Sequence, residues 1–180
     1  MDTGVIANRY AKAIFQYAAD HGDETLLHEE MQSLSEQFVA VPLLKKILDD
    51  PTVSAAEKTN ALVTAAGGKK ISNTCKHVIG MVVGNGRGHY MQNIALMYDK
   101  VFRKEKNIVV IQLTTTEPAS QETKKALIDL IIKDKEEKVN FAAKTDPEII
   151  GGFVLAIEDS RLDASVKNQL NQLRLELIKN

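Results

Sequence analysis

Residues 101–115 read VFRKEKNIVVIQLTT, and the hydrophobic pattern of the chain changes within this stretch. Up to Phe102 the apolar residues recur at the 3.6-residue period of an α-helix, whereas Ile108–Thr115 is rich in β-branched residues and is typical of a strand. The change near residue 106 predicts two domains, at residues 1–106 and 107–180. The predicted fold class is mainly α, with an N-terminal six-helix bundle followed by a small α/β domain that has a short sheet and two helices.

Six helical segments with short links are predicted before residue 106. Ser54 and Glu57 form a capping-box pattern ahead of the fourth segment, Gly67-Gly68 ends that segment, and Ser72 is the expected N-cap of the fifth. The fifth and sixth segments each present one apolar stripe, formed by Cys75, Val78, Ile79, Val82 and Val83 and by Met91, Ile94, Tyr98, Val101 and Phe102.

After the strand at Ile108–Thr115, a helix introduced by Ser120 is expected to end in the charged run at residues 133–138. Two further strands are predicted, one around Val139–Ala143 and one at Phe153–Ile157. A turn at residues 159–161 leads to a short return strand at Leu162. The last helix is predicted to be capped by Ser165 and to carry Leu170, Leu173 and Leu177 at heptad spacing.

Composition excludes several classes of function. The 180 residues include 44% hydrophobic and 26% charged residues, which is typical of a globular protein with a real core. A net charge of −1 argues against a nucleic-acid binder. The single cysteine, Cys75, excludes an internal disulfide, and the four histidines show no zinc-ligand spacing, so we expect no metal and no cofactor. No secretory signal is visible, and we expect a protein that faces the cytosol.

Three short motifs could suggest chemistry. Gly67-Gly68-Lys69-Lys70 lacks the spacing of a phosphate-binding loop, and Gly84-x-Gly86-x-Gly88 follows a helix where a dinucleotide fingerprint must follow a strand. Asp159 and Asp163 flank a turn and could act as an acid/base pair in a small α/β enzyme. No nucleophile lies near them in sequence, so a role in the turn and the helix start is favoured, with the enzyme as the alternative.

Two helices carry more apolar surface than one core-facing side requires. The fifth has Met81 beside its main stripe, close to His77. A helix that is apolar nearly all round is buried on both sides, either by its own bundle or by a partner helix that lies in a groove. The first helix has two apolar sides. One is formed by Ile6, Tyr10, Ala13, Ile14 and Tyr17, and the other by Ala7, Ala11, Phe15 and Ala18.

Several stretches resemble one known family, in the right order from about residue 5 to the end. Arg9–Phe15 is similar to the opening helix of the ATP synthase delta subunit family, which includes the mitochondrial oligomycin-sensitivity-conferring protein. Asn85-Gly86-Arg87 and Thr114–Pro118 resemble two of its links. The C-terminal signature of the family is matched by residues 146–153, with Gly151 and Gly152, and then by Asp159, Asp163 and Ser165.

The chain departs from the family pattern at three positions. The family often has glycine where this chain has Glu158 and Ala164, which leaves the type of turn there open. His89 occupies a position that is often apolar.

The resemblance implies a non-catalytic stator subunit of the bacterial proton-translocating ATP synthase, which links the catalytic head to the peripheral stalk against rotor torque. The first domain is implied to bind the N-terminal helix of an alpha subunit in a groove made by the first and fifth helices. The second is implied to bind the b subunits of the stalk. We therefore expect a monomer within the complex, peripheral at the cytoplasmic face of the inner membrane, with indirect membrane association and no nucleic acid.

The resemblance also leads to candidate contact residues. Tyr10 is carried over with the opening-helix motif, and the positions of the other groove residues are inferred from the helical pattern: Ile6, Ile14, His77, Val78 and Met81. Arg9, Asn85 and Arg87 belong to the matched motifs and are expected to be structural. For the b subunit we predict Leu170, Leu173 and Leu177, with packing on the small sheet as the alternative role of these leucines.

Overall fold

The computed structural model describes residues 3–131 and 138–179 of the chain. They form two compact units, Met1–Arg103 and Lys104–Asn180. The described residues are mainly helical and include one four-stranded sheet, so the expected class of a mainly α protein with a small sheet is confirmed.

The first unit is built from six α-helices and two short 3-10 turns, at Gly68–Lys70 and Gly88–Tyr90. The predicted capping box is present, because the Ser54 hydroxyl accepts from the Glu57 amide and the Glu57 carboxylate accepts from the Ser54 amide. The predicted cap at Ser72 accepts from the Cys75 amide. The helices are α1 (Thr3–His21), α2 (Glu24–Ala40), α3 (Leu43–Asp49), α4 (Ala55–Ala66), α5 (Asn73–Gly84) and α6 (Met91–Glu105).

The core of this unit uses one side of α1 that differs from the first predicted stripe. The buried residues of α1 are Ala7, Ala11, Ile14 and Ala18. Three of these are alanines, whose small side chains allow close helix packing, and Ile14 joins them. The predicted grouping of Ile14 with Ile6 and Tyr10 is therefore wrong. On α5 and α6 the predicted apolar stripes are confirmed, since all ten residues are buried.

A buried carboxylate ties α2 to the start of α5. Glu30 is 7% exposed, and its carboxylate accepts hydrogen bonds from both the amide and the hydroxyl of Ser72. Beside it, the Thr74 hydroxyl donates to Asp23. Burial is the main cause that raises the pKa of the nearby Cys75 thiol to about 12, so this side chain is a neutral core residue.

A second polar link joins α2 to α6. His28 Nε2 lies 2.8 Å from Asp99 Oδ1, and Arg103 Nη2 donates to Asp99 Oδ2 at 2.7 Å. The ring of Phe102 stacks on His28 with centroids 4.1 Å apart. The hydrogen bond to His28 is the first cause that holds the pKa of Asp99 below its usual value.

The second unit is a four-stranded sheet in the order β2-β1-β3-β4, where β1 and β2 are parallel and the other pairs are antiparallel. The parallel pair is joined through a helix, as such a connection requires. Residues 133–137 of the predicted charged run lie outside the described residues, and Lys138 begins β2. The elements are β1 (Ile108–Thr115), α7 (Gln121–Ile131), β2 (Lys138–Thr145), β3 (Phe153–Ile157), β4 (Ser160–Asp163) and α8 (Val166–Lys179).

One face of this sheet forms the small core. Ile111 and Leu113 of β1 and Leu155 of β3 are buried, with Leu127 and Ile131 of α7 packed against them. The strands therefore alternate, and the side chains of Gln112 and Thr114 lie on the opposite face, where they line a polar cleft.

We predict that Asp99→Asn destabilises the chain by about 1 kcal/mol at pH 7, because the charged link to His28 and Arg103 is lost from a side chain that is 37% exposed. The folded pKa of Asp99 lies below its unfolded value of about 3.9. Its contribution is therefore present above that value and is lost as the pH falls towards the folded pKa. Urea unfolding of both proteins at pH 7 and below pH 4 measures the difference.

Asp49→Asn is the matched control, because Asp49 is exposed at the end of α3. It should unfold like the original chain at both pH values. A difference between Asp99→Asn and the original chain that stays constant down to pH 3 would contradict the role assigned to the Asp99 carboxylate.

Candidate functional site

An apolar cleft of about 360 Å³ lies between α1 and the C-terminal end of α5. It is formed by the side of α1 that the core leaves free and by the first residues that follow α5. Since the core-facing side of α1 is fully used, the cleft is a surface feature and not a packing defect. Its lining residues are Ile6, Arg9, Tyr10, Ala13, Met81, Asn85 and Arg87.

The two walls of the cleft run antiparallel. At one end the guanidinium carbon of Arg87 lies 5.9 Å from the centroid of the Tyr10 ring, a cation–π contact. Further along α1, Tyr17 stacks on His77 of α5 with centroids 5.4 Å apart and an interplanar angle of 23°. A rising residue number on α1 therefore pairs with a falling number on α5. We call the cleft, together with the surface that continues from it along the two helices to Tyr17 and His77, the α1/α5 groove.

The structure brings together part of the predicted contact set. Ile6, Tyr10 and Met81 line the cleft. Ile14 and Val78 were predicted to face the groove, but each is 1% exposed and belongs to the core, because each lies on the side of its helix that packs against the rest of the unit. His77 is exposed and stacks on Tyr17 beyond the lining residues.

Sequence reasoning missed the polar part of the lining. Arg9, Asn85 and Arg87 were assigned a structural role, yet all three line the cleft. Two signals were available. Arg9 has helical spacing with Ala13, and Arg87 comes just after the apolar end of α5. Neither signal distinguishes a groove residue from an ordinary surface residue.

The outward face of α5 carries two glycines, Gly80 and Gly84. A Cβ atom added to Gly80 or to Gly84 would meet nothing within 4 Å, so the fold of the chain does not require glycine at either position. A glycine inside a helix costs roughly 0.5–1 kcal/mol relative to alanine. Gly80 lies next to Met81, and the open space above it is available for another backbone to approach α5.

A second uncovered apolar surface lies on α8. Leu170, Leu173 and Leu177 are 53%, 55% and 78% exposed. The alternative that these leucines pack on the sheet is therefore wrong. The helix is held at its start, where the Val166 amide donates to the Gly151 carbonyl, and from Gln169 to Leu177 every side chain the structure describes is exposed.

The signature residues of the second unit form the junction of β3, β4 and α8. Gly152 has φ +75°, and a Cβ atom there would overlap the carbonyl oxygen of Ala164, so only glycine fits. Gly151 is tight as well, because a Cβ atom would lie 3.1 Å from the Val166 side chain. Gly152 thus allows two backbone segments to approach closely at this junction.

The Asp163 side chain has a structural role at this junction. Its carboxylate accepts from the hydroxyl and the amide of Ser165, and the Ser165 hydroxyl in turn accepts from the Asn168 amide and caps α8. The Ser165 hydroxyl is the first cause that lowers the pKa of Asp163. A general acid needs a raised pKa, so this geometry does not favour the enzyme alternative.

The turn between β3 and β4 explains one departure from the family pattern. Glu158 has φ +49°, a left-handed conformation that glycine adopts at lower cost. Its carboxylate accepts from the Val110 amide, and its own amide donates to the Val110 carbonyl. The side chain thus makes a contact that glycine lacks, and Asp159 completes the two-residue connection between the strands.

Among the described residues there is no group of three or more histidine, cysteine, aspartate or glutamate side chains that could hold a metal ion. No described helix combines the length and the apolar character needed to cross a bilayer.

A sequence profile of the ATP synthase delta (OSCP) subunit family matches residues 6–177. The chain belongs to this family. The predicted family is therefore confirmed, as is the prediction of an ATP synthase subunit without catalytic function, since the relatives carry the name of that subunit.

Relatives from bacteria match along nearly their whole length. An ATP synthase subunit delta of Azobacteroides pseudotrichonymphae is 43% identical and covers 98% of this chain and 100% of its own. That of Phocaeicola vulgatus is 36% identical, with 99% and 96% covered. A chain in the cryo-EM structure of the Toxoplasma gondii mitochondrial ATP synthase hexamer has the same fold, with a TM-score of 0.67, 20% identity and 96% and 97% coverage.

We predict that Gly152→Ala destabilises the second unit by about 3 kcal/mol or more, because the added Cβ overlaps the Ala164 carbonyl at a positive φ. Gly22→Ala is the control, since Gly22 also has a positive φ but has free space around it, and should cost only about 1–2 kcal/mol. Amide hydrogen exchange at Ala164 and Val166 reports on the junction directly. Unchanged exchange in Gly152→Ala would contradict the assigned constraint.

Proposed function

We propose that this chain is the stator subunit that joins the catalytic head of a rotary, proton-translocating ATP synthase to its peripheral stalk. The observation that carries the proposal is the open α1/α5 groove in a chain of the ATP synthase delta (OSCP) subunit family. In this role the chain performs no chemistry. It holds two other components together so that the head does not turn with the rotor.

The proposed occupant of the groove is the N-terminal helix of an alpha subunit. Ile6 and Tyr17 are eleven residues apart on α1, which corresponds to about 16 Å, or three turns of helix. Ile6, Tyr10 and Met81 offer half-buried or exposed apolar contacts along this length. An amphipathic helix binds such a groove through apolar side chains on one face.

A joint that carries torque also needs rigid walls. We propose that the six helices of the first unit act as one bundle that keeps the groove in shape. The Glu30–Ser72 bonds hold the start of α5, and the His28–Asp99–Arg103 link holds α2 against α6. Polar contacts of this kind are directional and fix one arrangement of helices where apolar packing alone tolerates several.

The proposed contact of the second unit is the b-subunit end of the peripheral stalk, through α8. Val166, Leu170, Leu173 and Leu177 follow the alternating three- and four-residue spacing of a coiled-coil seam. From Gln169 onward the described side chains of α8 are exposed on all sides, so this part of the helix lacks the tertiary packing that normally stabilises helices in proteins. A second helix packed on this seam would supply that packing.

Two consequences concern location and assembly. The chain is proposed to be a monomer within the complex, at the cytoplasmic face of the bacterial inner membrane. Its membrane association is then indirect, through the b subunits, because its own binding surfaces fit protein helices. Its partners are alpha and b subunits, with no role for nucleic acid.

We predict that Tyr10→Asp lowers the affinity for a peptide of the first 25 residues of the alpha subunit from the same ATP synthase by about tenfold or more. Tyr10 is the aromatic residue among the seven that line the cleft, and loss of an aromatic anchor from an interface has effects of this size. Isothermal titration calorimetry with the full chain measures the change.

Val5→Asp is the control for this variant. Val5 is an exposed apolar residue on α1 that does not line the groove, so the same substitution there should leave the affinity unchanged. Circular dichroism checks that both variants are folded. If the original chain fails to bind the peptide at micromolar concentration, the proposed function is wrong.

We further predict that the double variant Leu170→Asp and Leu173→Asp abolishes co-purification with the soluble part of the b subunits. The melting temperature should not fall, because both side chains are already exposed in the isolated chain. Leu175→Asp provides the matched control, since Leu175 is 60% exposed on the opposite side of α8. Equal loss of binding in the control would show that the leucine seam is not the contact.

A further inference from the structure

The cleft in the α1/α5 groove carries positive charge in its lining. Two of its seven lining residues are arginines, Arg9 and Arg87, and none is acidic. Within residues 3–131 and 138–179, no carboxylate forms an ion pair with either arginine. This local charge contrasts with the net charge of −1 of the whole chain.

The charge is confined to one end of the groove. Arg87 lies over Tyr10, next to the end of α5, whereas the opposite end is formed by the stacked rings of Tyr17 and His77. A helix that fills the groove therefore meets a cationic end and an aromatic end. The groove therefore offers a different environment to each end of the bound helix.

An entirely apolar helix would be a poor occupant. It would cover the guanidinium groups and remove part of their hydration without supplying a partner, and the burial of an unpaired charge is costly. A carboxylate on the incoming helix removes this cost. The planar guanidinium of arginine binds a carboxylate through two parallel hydrogen bonds, which also defines the geometry of the contact.

We propose that the helix that occupies the α1/α5 groove carries an aspartate or glutamate that pairs with Arg87 and Arg9, and that this pair fixes the register of the helix along the groove. The inference rests on the proposed function, which supplies the occupant. It adds the chemistry that selects one placement of that occupant over others of similar hydrophobicity.

The experiment is a double-mutant cycle on the full chain with the 25-residue alpha-subunit peptide. Each acidic residue of the peptide is replaced in turn by its amide, and each peptide is titrated against the original chain, Arg87→Gln and Arg9→Gln. Replacement of one particular carboxylate should lower the affinity of the peptide for the original chain about tenfold. The same replacement should change the affinity for Arg87→Gln very little. Affinity for the unmodified peptide should also fall as salt is raised.

Two controls sharpen the result. Lys12→Gln removes an exposed cation of α1 that does not line the groove, and it should change the affinity little. Arg87→Lys keeps the charge but cannot form the bidentate pair of hydrogen bonds, so it should retain part of the coupling energy with the peptide carboxylate. Thermal unfolding shows whether each variant keeps its fold.

The possible failures are distinguishable. If the original chain does not bind the unmodified peptide, the proposed function itself fails. If the peptide binds but no carboxylate couples to Arg87 or Arg9, the charge pairing is wrong while the groove remains the binding site. In that case a loss caused by Arg87→Gln alone would arise from its contact with Tyr10.

Discussion

The buried carboxylate of Glu30 is the constraint on which the α1/α5 groove depends. It accepts hydrogen bonds from both the amide and the hydroxyl of Ser72, the residue that caps α5. A negative charge at this point also interacts favourably with the positive end of the α5 dipole. The position of α5 is thereby fixed relative to α2, which buries one side of α5 and leaves the side with Gly80 and Met81 outward. The floor and one wall of the α1/α5 groove follow from this placement.

The other wall follows from the composition of α1. Its two sides are both apolar, but Ala7, Ala11 and Ala18 occupy little volume and allow close contact with neighbouring helices. The larger side chains, Ile6 and Tyr10, would hold the neighbours further away, and they remain on the free side of the helix. The same helix therefore contributes a tightly packed side to the core and a side with larger apolar groups to the surface.

Local chemistry made much of the fold predictable from the sequence. The caps at Ser54 and Ser72 and the strand at Ile108–Thr115 depend on near neighbours and were predicted correctly. The choice between two apolar sides of α1 depends on packing between distant segments, which periodicity does not encode, so Ile14 was misplaced. The pairing of Glu30 with Ser72 spans 42 positions, and the left-handed Glu158 depends on contact with β1, so neither has a local signal.

Both uncovered surfaces carry residues that do not stabilise the isolated chain. Gly80 weakens α5 although no described residue would crowd a side chain at that position, and the leucines of α8 remain in water. A partner that covers either surface binds the folded chain and not the unfolded one, and this stabilises the fold in proportion to the logarithm of its concentration relative to the dissociation constant. With such a partner bound, the folding of a unit is thermodynamically coupled to the occupation of its surface. In such a design the intact assembly is more stable than its free components, which fits the proposed role of the chain as a joint under load.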